Sequence, residues 1–424
     1  MIYVRGRRMR KILFALFGVF LSVCANGAQI ANVEYVHLMI KQYTGVDVPY
    51  NSELKDVHAA ANMKYLLTAV DIANQMLNGE PVTSYGTGEY ATTRAADTVA
   101  VDTMVRDYVR DYKFFATTTP DTESFEFSIS ASGVFHIDWG DGKRESFNKT
   151  NTTATTYSHD YATAGEYTIK IGGHRTGGTS ISFTNNLNLA KIDGSLGQIF
   201  RTIKTSTGAI DNPSFKGVFQ GCTNLGGTIP SDLFSGLYGQ PVTGMFYLLF
   251  ANCSGLTGEI PSRLFADVSG KPTTNLFQST FKGCSGLTGE IPAGLFAGIH
   301  GSAVYCTFNG TFQGCSGLGG AIPENLFGGI SGSPGNSMFA HTFSGCRGLT
   351  SIPDNLFGDI SGEAIQWMFT STFYGCSGLT GESAKINGKY LYEIWPDATS
   401  AQVGYMYYNA KQLTDYADMP ATWK

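Results

Sequence analysis

Six cysteines recur at an almost constant spacing in the second half of this 424-residue chain and are its most regular set of reactive side chains. The intervals are 31, 31, 31, 31 and 30 residues, between Cys222, Cys253, Cys284, Cys315, Cys346 and Cys376. Thiols that bind zinc converge at short spacing, as in C-x-x-C, or zinc is held by histidines in H-E-x-x-H, and neither pattern occurs here. We therefore predict no metal site and no cofactor.

The constant interval predicts that the six thiols form a column along a stack of repeat units. If the units stack as strands do, neighbouring thiols lie roughly 5 Å apart. Because cysteine is small and readily buried, we interpret the column as interior free thiols. Disulfides between neighbours are the alternative, although an in-register stack directs the Cβ atoms in parallel and suits a bridge poorly. Cys306 lies outside the column and is predicted to be a core residue.

A second candidate set consists of the residues that precede the isoleucine of each Ile-Pro pair. A short strand is predicted between each cysteine and this pair, with its Leu and Ile facing inward, so the residue before Ile faces outward. We call these residues the outward row and predict them as the binding surface: Thr228, Glu259, Glu290 and Ala321. Carboxylates one repeat apart could serve acid–base catalysis, but we interpret Glu259 and Glu290 as a solvated or ligand-facing surface.

No established catalytic motif accompanies these residues. The chain has neither the G-x-S-x-G turn of serine hydrolases nor a phosphate-binding Walker loop, and its seven histidines are scattered. We therefore predict no catalytic residue and no enzymatic activity. The alternative is a secreted carbohydrate-active or proteolytic enzyme, which requires a carboxylate pair or a Ser/His pair in a cleft.

Composition excludes several classes of protein. The 29 Lys and Arg against 34 Asp and Glu do not fit a nucleic-acid binder, and 28 Phe with 22 Tyr do not fit a disordered chain. No 18-residue apolar run is present, so no membrane span is expected after the leader is removed. Residues 1–27 have the basic start, the apolar stretch Ile12 to Cys24 and the small residues of a signal peptide, which predicts export. An uncleaved anchor and a lipoprotein signal are the alternatives.

Composition and periodicity divide the remaining chain into five segments. In 28–118, apolar residues recur three or four positions apart, up to Tyr108 and Tyr112, which predicts amphipathic helices. The chain would oligomerise through these helices. Alternating apolar residues in 119–175 predict a small β-sandwich. Residues 176–213 are a connector and N-terminal cap, and 214–382 form the repeat array. Residues 383–424 are a degenerate repeat and C-terminal cap, in which Ala410 replaces the cysteine.

Paired phenylalanines define the local structure predicted for each repeat. They are four residues apart, as in Phe277 and Phe281, and would share one face of a helix. The residue before each cysteine is Gly or Asn, the types that tolerate positive φ after a helix, so we predict a helix C-cap there. One unit, Leu349 to Ile352, lacks a residue, which requires either a bulge in the predicted strand or a turn in its place.

Two stretches resemble known families. The run from Ile137 to Gly142 contains W-G-D-G, and H-x-Y and A-G-x-Y follow, so the segment resembles a PKD (polycystic-kidney-disease) domain, a β-sandwich spacer or adhesion module. Here Asp138, Asp141 and Asp160 would be turn and strand-end residues rather than a cation site or an acid pair. The repeat F-x-G-C-S-G-L-T-G-x-I-P-x-x-L-F resembles the BspA-type leucine-rich-repeat surface proteins of bacteria, although its 31-residue period and Phe-rich insertion differ.

The sequence and these resemblances together predict an α+β repeat protein. Its parts are a leucine-rich-repeat-like solenoid of about six 31-residue repeats, a small β-sandwich before it and an N-terminal helical segment. The resemblance implies an exported bacterial surface protein that binds a protein or glycan on a host or neighbouring cell. A structural component of the cell envelope, assembled through the N-terminal helices, is the alternative function.

Overall fold

The computed structural model describes residues 112–204, 207–302 and 304–424. The chain divides into two units, Met1–Tyr112 and Lys113–Lys424, and nearly all of the first lies outside these ranges. The predicted signal peptide therefore lies outside the described residues, as does most of the predicted helical segment. The part of that segment that is described is a strand, β1 (Tyr112–Thr118), so the helical prediction is wrong at its C-terminal end.

The N-terminal part of the second unit is a six-stranded antiparallel sheet. Strand β2 (Thr122–Asp138) is paired with three of the other strands. Its residues Phe125, Phe127 and Ile129 alternate with exposed or half-exposed residues and bury one face of the sheet. The remaining strands are β3 (Arg144–Lys149), β4 (Thr155–Gly165), β5 (Thr168–Ser182) and β6 (Leu189–Gly194). The strand order is β3-β2-β5-β1-β6, and β4 pairs with the first half of β2.

The sheet differs from the predicted sandwich in two ways. It is one sheet, and it includes β1 and β6, so it extends from Tyr112 to Gly194 and not only over 119–175. Residues after the sheet cover its apolar face: the rings of Phe135 and Phe200 lie 5.7 Å apart, and those of Phe114 and Phe219 lie 6.3 Å apart. The connector and the first repeat thus cover the apolar face, which is buried without a second sheet.

The phenylalanine pairs of the repeats do not lie in helices. In the repeat that contains Cys253, the N–H groups of Phe246, Leu248 and Phe250 donate to carbonyls of the next repeat. The N–H groups of the residues between them donate to the carbonyl three positions back. Positive φ recurs every fourth residue, at 61° in Gly244, 58° in Leu248 and 64° in Asn252. We call this segment and its equivalents the turn ribbon. A four-residue period is close to the 3.6-residue period of a helix, so the spacing of the phenylalanine pairs does not distinguish the turn ribbon from a helix.

The predicted fold class, an α+β leucine-rich-repeat-like solenoid, is accordingly wrong. Of the described residues, about 30% lie in strands and 5% in helices, and the main sheet is antiparallel and not closed into a solenoid. The described α-helices have four residues each: α1 (Leu196–Ile199), α2 (Leu391–Ile394) and α3 (Ser400–Val403). A three-residue 3₁₀ helix covers Ala421–Trp423. Predicted helices would have satisfied their own backbone groups, whereas the turn ribbon bonds to its neighbours.

Short strands and isolated bridges connect successive repeats. β7 (Ile203–Lys204) pairs with β8 (Ile210–Asp211) before the repeats begin. Within the repeats, isolated parallel bridges join Gly227 to Leu256 and Gly258 to Leu287. The later strands are β9 (Gly319–Ala321), β10 (Ser331–Gly332), β11 (Gly348–Ser351), β12 (Asp359–Ile360), β13 (Lys385–Ile386) and β14 (Lys389–Tyr390). β9 and β11 are parallel, with a register shift between Leu349 and Ser351, so the missing residue is accommodated by an irregularity within a strand and not by a turn.

Three ladders of phenylalanine rings form the core of the repeat array. In each ladder, one ring per unit stacks on its equivalent in the next unit, as Phe277 does on Phe308 at 5.7 Å. The ladders are Phe219, Phe250, Phe281, Phe312, Phe343 and Phe373; Phe215, Phe246, Phe277, Phe308, Phe339 and Phe369; and Phe234, Phe265, Phe296, Phe327 and Phe357. All these side chains are buried, so the units share one continuous apolar core.

The six regularly spaced cysteines are free and buried, as predicted. Five of these thiols donate to a phenylalanine carbonyl of the preceding unit, for example Cys284 Sγ to the Phe250 oxygen at 3.0 Å. Cys222 donates to the Phe183 carbonyl, which lies before the first repeat. Burial raises the pKa of Cys284 to about 12, so the group is a neutral donor at physiological pH. Positive φ at the preceding residue is also confirmed, for example 74° at Gly283, although no helix precedes it. Cys306 is buried and free outside the column, as predicted.

The last segment closes the end of the core. Tyr407 stacks on Phe373 at 5.5 Å, and its backbone N–H donates to the carbonyl of Trp423, which is fully buried. Ala410 is buried at the position that cysteine holds in the other units. The side chain of Asp415, also buried, accepts hydrogen bonds from Ser383 and Tyr392. Phe373, the last ring of its phenylalanine ladder, is thus covered by protein rather than water.

Candidate functional site

The outward row lies on one continuous face of the repeat array. Thr228, Glu259, Glu290 and Ala321 are all exposed, while the isoleucine that follows each of them is buried. Each of the first three side chains lies against the glycine that precedes the next member: a Cβ added at Gly289 would be 2.6 Å from Cγ of Glu259. Glu290 lies against Gly320 in the same way. The structure therefore brings the predicted residues together as a row.

Glu259 and Glu290 also line one surface cleft of about 430 Å³. The Ile-Pro pairs that follow them form the rest of its wall, together with Ser262 and Ala293. Among the described residues, no cation is within ion-pair distance of either carboxylate. The cleft thus offers two neighbouring acceptors to the hydroxyl, amide or cationic donors of a ligand.

The W-G-D-G turn forms a compact polar and aromatic cluster at the end of β2. His159 stacks on Trp139 with ring centroids 5.1 Å apart, and its Nε2 lies 2.9 Å from Oδ2 of Asp141. The Tyr161 hydroxyl donates to the Trp139 carbonyl at 2.9 Å, and its ring stacks on Tyr167. These contacts hold the turn against β4, which is the structural role predicted for the turn aspartates.

The charged neighbours of the other two aspartates differ. Asp138 is buried and paired with Nε of Arg144 at 2.8 Å and with the more distant Lys170 amine at 4.0 Å. Asp160 is exposed on β4, opposite Ser124 of β2. No group of three or more His, Cys, Asp or Glu in the described ranges could hold a metal ion.

Replacing Asp141 with asparagine is expected to lower stability by about 0.5–1 kcal/mol at neutral pH, because the hydrogen bond to His159 loses its charge and the exposed Asp141 carboxylate is screened by solvent. Partial burial raises the pKa of Asp141. The hydrogen bonds with the Lys143 backbone N–H and with His159 together lower this pKa by a larger amount, so in the folded protein it lies below the ordinary 3.8. The stabilisation is therefore complete above pH 3.8 and is lost as the pH falls through the folded-state pKa.

Urea denaturation of the wild type and the Asp141→Asn variant at several pH values measures this effect. The stability difference should shrink below pH 3.8. Asp160→Asn is the matched control, since Asp160 is exposed on the adjacent strand. An equal loss in both variants, or a difference independent of pH, would contradict the assigned role of the pair.

Sequence reasoning missed a group of exposed tyrosines near the C-terminus. Tyr374, Tyr405 and Tyr408 are 40%, 60% and 40% exposed, and their rings contact one another. A signal was present in the sequence: at the position of Tyr374, the earlier repeats carry Lys282, Gln313 or Ser344. Comparison of repeat columns, rather than a search for motifs, would have found it.

Comparisons with known proteins leave the family open. No family model, no curated protein and no solved structure matches the chain. The resemblances to BspA-type surface proteins and to PKD domains stay predictions. No helix among the described residues is long and apolar enough to cross a membrane.

Proposed function

We propose that this chain is an exported surface protein that binds protein or glycan ligands through the outward row. The observation that carries the proposal is the alignment of Glu259 and Glu290 over a single cleft on a repeated, exposed face. Export rests on the predicted signal peptide in residues 1–27. The alternative of a structural envelope component depends on residues 28–111, which lie outside the described ranges.

The core beneath the outward row supports a binding role. Ile260 and Ile291, which follow the two glutamates, are 2% exposed and belong to the same apolar core as the phenylalanine ladders. A site on such a packed support is held in one geometry, so less freedom is lost when a ligand binds. Acceptors fixed side by side select ligands whose donors have the matching spacing.

The outward row can be tested with a glycan array and a panel of extracellular-matrix proteins, using purified residues 28–424. The Glu259→Lys/Glu290→Lys variant is expected to weaken binding at least tenfold, because it reverses both charges that face the ligand. The control is Glu324→Lys, which changes an exposed glutamate of the same array outside the outward row.

The folded state of each variant is checked by its urea midpoint, which should be unchanged because both glutamates are exposed. Equal binding by the wild type and the double variant would remove this face as the site. Absence of binding to any member of either panel would count against the binding function as a whole.

A further inference from the structure

Three tyrosines form an angled aromatic surface at the C-terminal end of the turn ribbon. The rings of Tyr374 and Tyr408 stack with centroids 4.9 Å apart and planes 13° apart. The ring of Tyr405 stands nearly perpendicular to that of Tyr408, at 6.0 Å and 84°. We call Tyr374, Tyr405 and Tyr408 the tyrosine platform. It presents two ring orientations and three phenol groups at one exposed place.

The repeat fold does not require these tyrosines. The backbone N–H of Gly345 donates to the backbone carbonyl of Tyr374, and that of Gly375 donates to the backbone carbonyl of Tyr408. The two tyrosines therefore occupy equivalent positions in successive units. In the unit before Tyr374, this position holds Ser344. The units therefore stack equally well with a small polar residue there, and packing does not explain the aromatic rings.

Tyr405 is in addition placed at an unfavourable backbone position. Its φ is 57°, in the left-handed region, where bulky residues are uncommon. The equivalent residues of earlier units share this conformation, among them Leu248, Ser279, His341 and Ser371. A 60% exposed tyrosine in this conformation contributes little to the core, although the conformation has an energetic cost. Its exposure, and not the backbone conformation that the other units share, distinguishes Tyr405 from its equivalents.

The size and charge of the platform limit what it can bind. A tyrosine presents roughly 200 Å² in all, so three half-exposed rings offer about 300 Å². A stable protein interface needs about 800 Å² on each partner, which the platform does not supply. Among the described residues, the lysines that lie over aromatic rings contact Tyr247, Tyr390 and Tyr416, and none lies over the platform. The ring faces of the platform thus carry no stacked lysine, and its hydrogen-bonding groups are three phenols.

We propose that the tyrosine platform binds a neutral carbohydrate. The C–H face of a sugar ring packs on an exposed aromatic ring, and the phenol groups exchange hydrogen bonds with sugar hydroxyls. The stacked pair Tyr374 and Tyr408 supports one ring face, and Tyr405 forms the wall beside it. The platform is a second surface, separate from the outward row, and the proposal does not depend on the glutamates.

The test uses residues 28–424 and four neutral probes: maltohexaose, cellohexaose, mannohexaose and chitohexaose. Calorimetric titration should give a Kd between about 0.1 and 1 mM for at least one of them. Tyr374→Ser/Tyr405→Ser introduces the residues found one unit earlier, Ser344 and Ser371, so the variant should keep the wild-type urea midpoint. It is expected to weaken binding at least tenfold.

Two controls separate this proposal from the proposed function. Tyr238→Ser changes a 44% exposed tyrosine elsewhere in the array and should leave binding unchanged. Glu259→Lys/Glu290→Lys should also leave hexasaccharide binding unchanged, and its loss there would assign the sugar to the outward row instead. Equal binding by the wild type and the tyrosine double variant would overturn the proposal, as would no binding of any neutral probe at about ten times the upper expected Kd.

Discussion

Replacing Phe277 with alanine is expected to lower the free energy of unfolding by about 3–5 kcal/mol. The ring is fully buried and contacts four others: Phe246 at 5.6 Å, Phe265 at 5.1 Å, Phe296 at 4.5 Å and Phe308 at 5.7 Å. Alanine leaves a cavity between two neighbouring units. The cavity cannot close, because each unit is held at its distance by backbone hydrogen bonds to both neighbours.

The measurement is the urea midpoint of residues 28–424, followed by near-ultraviolet circular dichroism. Gln278→Ala is the matched control, because Gln278 is the next residue in the turn ribbon and is half-buried rather than in the core. The free energy of unfolding of this control should change by less than about 0.5 kcal/mol. Similar midpoints for the two variants would show that the phenylalanine ladders do not hold the units together.

Replacing Gly286 with alanine is expected to destabilise the chain by about 3 kcal/mol, although alanine adds one methyl group. A Cβ at this position would lie 2.5 Å from the Leu256 carbonyl oxygen and 2.9 Å from that of Ser254. Both atoms belong to the backbone of the preceding unit, so the units must move apart. Gly317 makes the same approach, at 2.5 Å from the Leu287 oxygen, so the glycine sets the distance between units.

Gly319→Ala is the control for this prediction. It lies two residues after Gly317, has no positive φ, and its added Cβ would be 3.4 Å from the nearest atom, an ordinary contact. This variant should be neutral or slightly more stable, because alanine restricts the unfolded chain. Thermal unfolding of both variants compares them directly. A stable Gly286→Ala protein would mean that the spacing between units adjusts to a methyl group.

Local patterns in the sequence were sufficient for the features that depend on one repeat unit. The 31-residue interval predicted the buried cysteine column, and Gly or Asn before each cysteine predicted positive φ there. The inward Leu and Ile likewise predicted that Glu259 and Glu290 face out. Each of these properties follows from residue type and from its nearest neighbours along the chain.

Tertiary structure decided the features that depend on contacts between units. The spacing of Phe277 and Phe281 fits both a helix and a four-residue turn period, and only hydrogen bonds to the next unit select the turn ribbon. The predicted sandwich became a single sheet because Phe200 and Phe219 cover its apolar face from outside the segment. Tyr374 and Tyr408 are 34 residues apart in the sequence and form one platform because the units stack in register, a condition that no single repeat contains.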